Sequence, residues 1–465
     1  MISIFRTQNI AKNLSIDQSN WLLSLAMRWL YTVLYTLGFV LLSPLFLYTM
    51  WKRGKYRENF GQRFGGYSAA VRARLGVLTA PCCWIQAVSV GEVNLALPLL
   101  AVLRRRFPQH RFVLTTTTST GYALARERLA APGGEVELFY FPQDFPWTVR
   151  RAFDLIRPDF IVLLESEIWP NHVWEAARRR VPVFVVNARM APKSARRHQR
   201  CRWPFARVWP CLRRIGVQSQ PDLDYFLAAG VSREKLHLTG NLKYDNALPP
   251  ASASVFDPAS LLAEFGVTAD RPVLVAGSTH PGEEEILFDT VAALRAQFPN
   301  LFLVLVPRHV ERAAEILELA RRKQVSVALR QNGGTLDGVP DCLLVNTTGE
   351  LRRFYEIATV IFVGKSLCGV GGQNIVEAAA SGHPVIFGPH MENFREIACQ
   401  FVSANAAVQV QDVDELRHAI RDLLQSEPLR ERITAAAAGV IEANCGATER
   451  TVALIADALA VPGRR

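Results

Sequence analysis

The chain has 465 residues, is 49% hydrophobic and 20% charged, and carries eight cysteines and a formal net charge of +11. That length and apolar content exclude a disordered chain or a small disulfide-built scaffold, and leave room for two or three domains with cores of their own. Charge is unevenly spread: residues 1–240 hold 33 Lys and Arg against 15 Asp and Glu, and residues 241–465 hold 20 against 27. A basic half joined to a mildly acidic half predicts two domains with different partners. Nucleic acid, anionic lipid and a phosphorylated substrate all suit the basic half.

Trp29–Trp51 contains no charge over 23 residues. As a helix it would be about 34 Å long, enough to cross a bilayer, with Trp and Tyr near both ends and Pro44 as a point of kinking. It lacks the cleavage site of a secretory signal. Lys52, Arg53, Lys55, Arg57 and Arg63 follow it, against Arg6, Lys12 and Arg28 before it. That bias predicts that the bulk of the protein lies in the cytoplasm. A helix lying in one leaflet and a helix buried in a soluble core are the alternatives.

Downstream, short β-rich runs alternate with helical segments: Trp84–Val88, Arg111–Leu114, Phe160–Leu164, Val183–Val186, Ile215–Val217 and Leu236–Leu238. A second set follows at Val273–Ala276, Leu301–Val306, Cys342–Val345, Thr359–Val363 and Pro384–Phe387. Such alternation predicts βαβ units and parallel sheets. The Pro/Ser/Ala-rich segment Ala247–Pro258 separates the two sets. The expected organisation is a membrane-anchor segment over 1–60, a first Rossmann-like domain over 61–246, a linker over 247–258 and a second Rossmann-like domain over 259–465. The last helix has the option of packing back on the first domain.

Polar groups accumulate where the strands end: Ser89 to Glu92, Thr115 to Gly121, Glu165 to Glu167, Asn187 to Arg189, Thr239 to Lys243, Gly277 to His280, Pro307 to His309 and Asn346 to Glu350. Open α/β sheets bind ligands beyond the carboxyl ends of their strands, so a cleft between two Rossmann-like sheets is expected. Capping is the competing role, and the favoured one for Ser278, Thr279 and Glu283–Glu285. The stretch Phe362–Phe394 reads as strand, glycine loop, helix and second strand. Gly371 and Gly372 would admit a ligand to the backbone, and the helix would aim its N–H groups at a nucleotide phosphate beside Asn374 and Glu377.

The Phe362–Phe394 pattern resembles the donor half of GT-B glycosyltransferases, and glycosyl transfer needs a base for the acceptor hydroxyl and cationic groups for the departing phosphate. Glu92, after a glycine at a strand-to-helix turn, suits the first role; a helix-terminal glutamate with only dipole value is the alternative. Arg308 suits the second, with an ordinary surface arginine as its alternative. Lys243 would act as a point charge, and Glu165 and Glu167 sit at a buried strand's end. The segment Lys193–Arg214 is dense in Arg and aromatics; anionic membrane fits it better than stacking of nucleic-acid bases on Trp203, Phe205 and Trp209. The cysteines show no zinc spacing and read as reduced apolar residues. Asp222 and Asp224 imitate a metal-binding DxD but begin a helix, so no metal site is assigned.

Taken together, AVSVGEV (87–93), TTTTSTG (115–121), ESEIWPN (165–171), NARM (187–190), GVQS (216–219), TGNLKYD (239–245), AGSTHPGEEE (276–285), VPRH (306–309), TGEL (348–351), FVGKSL (362–367) and GPHMENF (388–394) resemble the Kdo (3-deoxy-D-manno-octulosonic acid) transferases of lipopolysaccharide biosynthesis. The resemblance implies a GT-B fold of two Rossmann-like domains plus the anchor helix. It implies metal-independent, inverting transfer from CMP-β-Kdo to the lipid A precursor lipid IVA, with no cofactor beyond the donor and no nucleic acid. By that likeness Glu92 is the general base and Glu165 and Lys243 stabilise the transition state. Pro307, Arg308, Thr348, Gly349, Glu350, Asn374, Ile375, Val376 and Glu377 contact CMP. Lys365, Gln373, Ala378, Asn346 and Ala191 depart from the family pattern, mostly around the donor. A UDP-sugar transferase acting on another lipid, and a non-catalytic binder of anionic lipid, are the competing functions.

Overall fold

A computed structural model describes residues 26–45, 59–129, 136–165, 167–200, 205–247, 257–268, 270–331 and 338–460. The basic residues Lys52 to Arg57, Ser166, Trp203 and most of the 247–258 linker lie outside them. The chain forms two compact units, 1–242 with 446–465 and 243–445. The first therefore ends before the linker, at Leu242, and includes the last helix, Ala447–Ala460.

The first unit holds a seven-stranded sheet: β1 (Cys82–Gln86), β2 (Arg111–Thr116), β3 (Val136–Tyr140), β4 (Phe160–Leu164), β5 (Val183–Ala188), β6 (Arg214–Val217) and β7 (Leu236–Leu238). Its order is β3-β2-β1-β4-β5-β6-β7. The second unit repeats the plan with β8 (Val273–Thr279), β9 (Phe302–Pro307), β10 (Val327–Leu329), β11 (Cys342–Leu344), β12 (Val360–Val363), β13 (Val385–Phe387) and β14 (Val408–Gln409), in the order β10-β11-β9-β8-β12-β13-β14. Every pairing is parallel. The central strands are buried and mostly apolar, because helices cover both faces of a parallel sheet. Each sheet consequently has two apolar cores, one per face.

Three strands escaped the sequence pattern: β3, β10 and β14. All are edges with partly exposed residues, where a mixed sequence suffices. The helix Ala26–Leu45 of the apolar segment is present. Its Tyr31, Tyr35 and Phe39 lie four residues apart and pack on the first unit, against Trp174, Phe145, Trp169 and Phe64. Arg63, read as part of the basic run beside the membrane, is buried with its guanidinium 4.1 Å from the Tyr140 ring centroid.

Each unit is tied internally by a buried carboxylate. In the first, Asp144 accepts from the amides of Asn171 and His172 (3.1 and 3.0 Å), shares a 2.6 Å contact with His172 Nδ1, and takes the Tyr31 hydroxyl at 2.7 Å. In the second, Glu283 accepts from the amides of His280, Lys365, Ser366 and Leu367 at 2.7–3.0 Å. Hydrogen bonds to a charged group are worth roughly 1.5–3 kcal/mol each, and removing the acceptor strands buried donors. Asp144→Ala and Glu283→Ala are each expected to cost about 3 kcal/mol. Equilibrium denaturation of the detergent-solubilised protein checks this, and an unchanged transition for either variant would contradict the assignment.

Candidate functional site

In the first unit the strand order reverses between β1 and β4, the switch point where α/β sheets take ligands. Glu92 follows β1 and Glu165 follows β4. Ser89 caps the helix Val90–Arg106, and Glu92 reaches back so that its carboxylate accepts the Val88 amide at 2.8 Å and the Ser89 hydroxyl at 3.3 Å. The helix-terminal role is therefore real. It does not exhaust the residue. Burial, aided by the charges of Glu165 and Glu167, pushes the Glu92 carboxyl up to about 7 against the pull of its two donors. Burial also raises Glu167. A carboxylate that titrates near neutrality is matched to accepting a hydroxyl proton.

Four non-glycine residues with positive φ stand at strand ends: Glu165 (+54°), Asn187 (+53°), Ser278 (+56°) and Lys365 (+59°). Left-handed backbone costs a non-glycine residue of order 1–3 kcal/mol and clusters at functional sites. Asn187 and Ser278 coincide with register shifts between β5 and β6 and between β8 and β9. Bulges of this kind re-aim the residues that follow. Beyond β5 and β6, Asn187 accepts the Leu242 amide (3.0 Å) and Gln218 accepts from Asn241 (2.9 Å), so these polar strand ends brace one another. Glu165 meets Arg189 at 3.3 Å.

In the second unit the corresponding switch point lies between β8 and β12. The glycine loop after β12 is largely satisfied from within. The Gly371 amide donates to Glu392 (2.6 Å) and that of Gly372 to the Lys365 carbonyl (3.2 Å). A Cβ at Gly371 or Gly372 would come within 2.5 Å of Asn393 or Met391, and both residues have positive φ. Their glycine character thus serves loop closure. The following helix is only Ile375–Ala379, and the Asn374 side chain already caps the Val376 amide at 3.2 Å. One of the N–H groups expected to face an anion is thus satisfied by the cap. Ile375 and Val376 are fully buried core residues, so Asn374 and Glu377 carry the polar character of that motif.

Arg308 is exposed after β9, its amide bonded to the Thr279 carbonyl (3.1 Å). Burial raises the Glu377 carboxyl, opposed by the charges of Arg352 and then Arg308. Arg352 Nε lies 3.4 Å from Glu377, and its guanidinium also donates to the carbonyls of Asn246 and Ala247. Sequence reasoning missed Arg352; its place directly after TGEL was the available signal. Thr348 and Gly349 are exposed, while Glu350 is held by Arg330 (3.2 Å) and Thr347. Lys243 falls in this second unit, with Nζ 4.8 Å from the Phe394 ring centroid. Pro307 ends β9. The capping expected of Ser278, Thr279 and the glutamates is not what they do: Gly282 occupies the cap position, Glu283 ties the glycine loop, Glu284 binds Arg312 and Glu285 binds Lys323. Asp222 is spent on the Met190 amide and the Ser219 hydroxyl. Phe205 and Trp209 stack on each other, 5.2 Å apart, as part of the core, rather than presenting faces for bases.

Comparison with known proteins agrees with this architecture. The family model described as 3-deoxy-D-manno-octulosonic-acid transferase matches residues 58–246, and that of group 1 glycosyl transferases matches 340–440. A 3-deoxy-D-manno-octulosonic acid transferase of Bordetella pertussis is 35% identical over 436 residues, covering 91% of this chain and 98% of that protein. One from Haemophilus influenzae is 33% identical over 407 residues, covering 87% and 92%. A solved UDP-N-acetylglucosamine 2-epimerase matches with a TM-score of 0.57 over 83% of this chain and 98% of its own, at 13% identity, which supports the fold alone. With identity of that order along nearly the full length of both transferases, and two parallel α/β domains of GT-B type beneath it, the chain belongs to the 3-deoxy-D-manno-octulosonic acid transferase family, glycosyltransferases of lipopolysaccharide biosynthesis.

Proposed function

We propose that this enzyme transfers Kdo from CMP-β-Kdo to a sugar hydroxyl of lipid IVA, with inversion and without a metal or further cofactor, at the cytoplasmic face of the inner membrane. The observation that carries the reading is Glu92: a buried carboxylate at a switch point, pushed up to about 7 and set beside Glu165. In a single displacement the acceptor oxygen bonds to the anomeric carbon of Kdo as the bond to the CMP phosphate breaks. CMP leaves with the bonding electrons and Glu92 takes the hydroxyl proton. Glu165 and Lys243 stabilise charge in the transition state. Arg308 grips an anionic oxygen of the donor, and the remaining CMP contacts come from Pro307, Thr348–Glu350 and Asn374–Glu377. The basic first half supports an anionic membrane partner, where the lipid acceptor resides.

Glu92→Gln keeps the shape and removes the base, so kcat is expected to fall about 10²–10⁴-fold while CMP binding is retained. Mass analysis of lipid IVA incubated with freshly generated CMP-Kdo reads the first, and calorimetry with CMP the second. Full activity in the variant would remove Glu92 from the mechanism. Because the working form is the carboxylate and its pKa is raised, kcat/KM should rise with pH through about 7 and flatten above it. A limb centred near the ordinary glutamate value would contradict the assignment. Arg308→Ala is expected to weaken CMP binding about tenfold, in keeping with loss of one charge-assisted contact, while leaving the pH limb in place. Equal CMP affinity in Arg308→Ala and Glu92→Gln would refute this division of roles.

A further inference from the structure

The helix Ala26–Leu45 is long and apolar enough to cross a bilayer, yet one face of it is already occupied. Tyr31 donates to Asp144 at 2.7 Å, Tyr35 donates to Gln143 at 2.7 Å, and the Asp144 amide donates to the Tyr35 hydroxyl at 3.3 Å. Asn171 donates to Thr32 at 3.4 Å, and Phe39 packs edge-on against Phe64 and Phe145. Arg28 continues the docked stripe, 5.8 Å from the Trp174 ring centroid. From Arg28 to Phe39 the helix runs along the domain for about 16 Å. A spanning orientation would carry these turns, and the Gln143–Asp144 and Asn171–His172 segments bonded to them, into hydrocarbon. Polar groups are very costly there.

The remaining surface of the helix is exposed and mostly apolar. Leu30, Leu34, Leu37, Leu41 and Leu45 recur at helical spacing, and Leu34 and Leu41 are 54% and 78% exposed. Trp147, half exposed and stacked on Phe145, extends this surface onto the domain. At the helix's N-terminal end, a cavity of about 450 Å³ is lined by Arg28, Arg178 and Arg207 with Trp174 and Cys211, and among the described residues no acidic one lines it. Nearby Glu175 is engaged by Arg178 and Arg179. A second copy of this chain would bring like charge against like here, whereas an anionic bilayer complements both the arginines and the leucines.

We propose that the helix lies in the plane of one leaflet while docked on the first domain, and that the Arg28–Arg178–Arg207 pocket seats the phosphate of an anionic phospholipid headgroup. The inference rests on the membrane-associated reading above and deepens it. Two measurements on the full-length protein test it. For the first, Leu30, Leu37 and Leu45 are replaced singly by cysteine in a chain carrying Cys368→Ser and Cys399→Ser. Each is labelled with a fluorophore and quenched by lipids brominated at graded depths. Equal, shallow depths at the three sites are expected; a deep Leu37 site between two sites near opposite faces would overturn the in-plane orientation.

The second measures sedimentation with vesicles of phosphatidylethanolamine and phosphatidylglycerol, and with vesicles of phosphatidylcholine alone. Arg28→Ala with Arg207→Ala should lower affinity for the phosphatidylglycerol vesicles about tenfold or more and leave phosphatidylcholine binding unchanged. Unchanged affinity for both lipids, or an equal loss for both, would overturn the headgroup pocket. Leu34→Glu with Leu41→Glu, on exposed positions, should weaken binding to both lipids; undiminished binding would overturn the leucine face. Transfer to detergent-dispersed acceptor by the unaltered protein is scored separately, so failure of the transferase reading and failure of the membrane geometry give different results.

Discussion

Parallel pairing throughout both sheets is the constraint on which the remaining architecture depends. A parallel strand must be re-entered from the same end, so each connection crosses back over a face and covers it with helix. The strands become apolar and buried, and every carboxyl end in a unit falls along one edge. Polar residues excluded from the strand interiors collect there, which is why Glu92, Glu165, Asn187, Arg308 and Lys365 all stand at strand ends. The margin of the sheet is where polar groups are available, because its interior is committed to packing.

That margin is built at a cost that neighbouring interactions offset. Glu165, Asn187, Ser278 and Lys365 hold left-handed backbone, and two of them introduce register shifts. Around them the polar groups are not free to relax: Asn187 is bonded to Leu242, and Glu283 gathers four amides on either side of the β12 loop. Glu92 and Glu283 show how context divides two buried glutamates. Glu283 has its oxygens filled by amides and shapes a loop. Glu92 has two donors among the described residues and two acidic neighbours, and its raised affinity for a proton is what suits it to act as a base.

Central strands were legible to within two residues, because a run such as FIVLL has no other stable place than a buried sheet; the exception is β8, which runs three residues further, to Thr279. Edge strands were not: β3, β10 and β14 are short and partly exposed, and their residues carry a weak pattern. Glu92, Arg308 and Glu377 could be singled out from position after a strand and from motif resemblance. Arg352 was missed despite its place after TGEL, because its relevance comes from a 3.4 Å approach to Glu377 and from carbonyls more than a hundred residues earlier in the chain. The glycine loop was legible as a loop, but its purpose was misassigned: its amides meet Glu283, Glu392 and the Lys365 carbonyl, partners that no local pattern reveals.

By itself the sequence determined the alternation of strand and helix, the split into a basic and a mildly acidic half, the apolar N-terminal segment and the motifs of the family, since each is written in neighbouring residues. Tertiary structure decided which carboxylates are spent on amides and which remain poised for a proton. It also decided which face of the N-terminal helix is docked and which last helix belongs to which unit. The physical reason is the same in each case. Burial, hydrogen-bond saturation and electrostatic neighbourhood are set by residues far apart in the chain, and only the folded arrangement brings those residues within a few ångströms of one another.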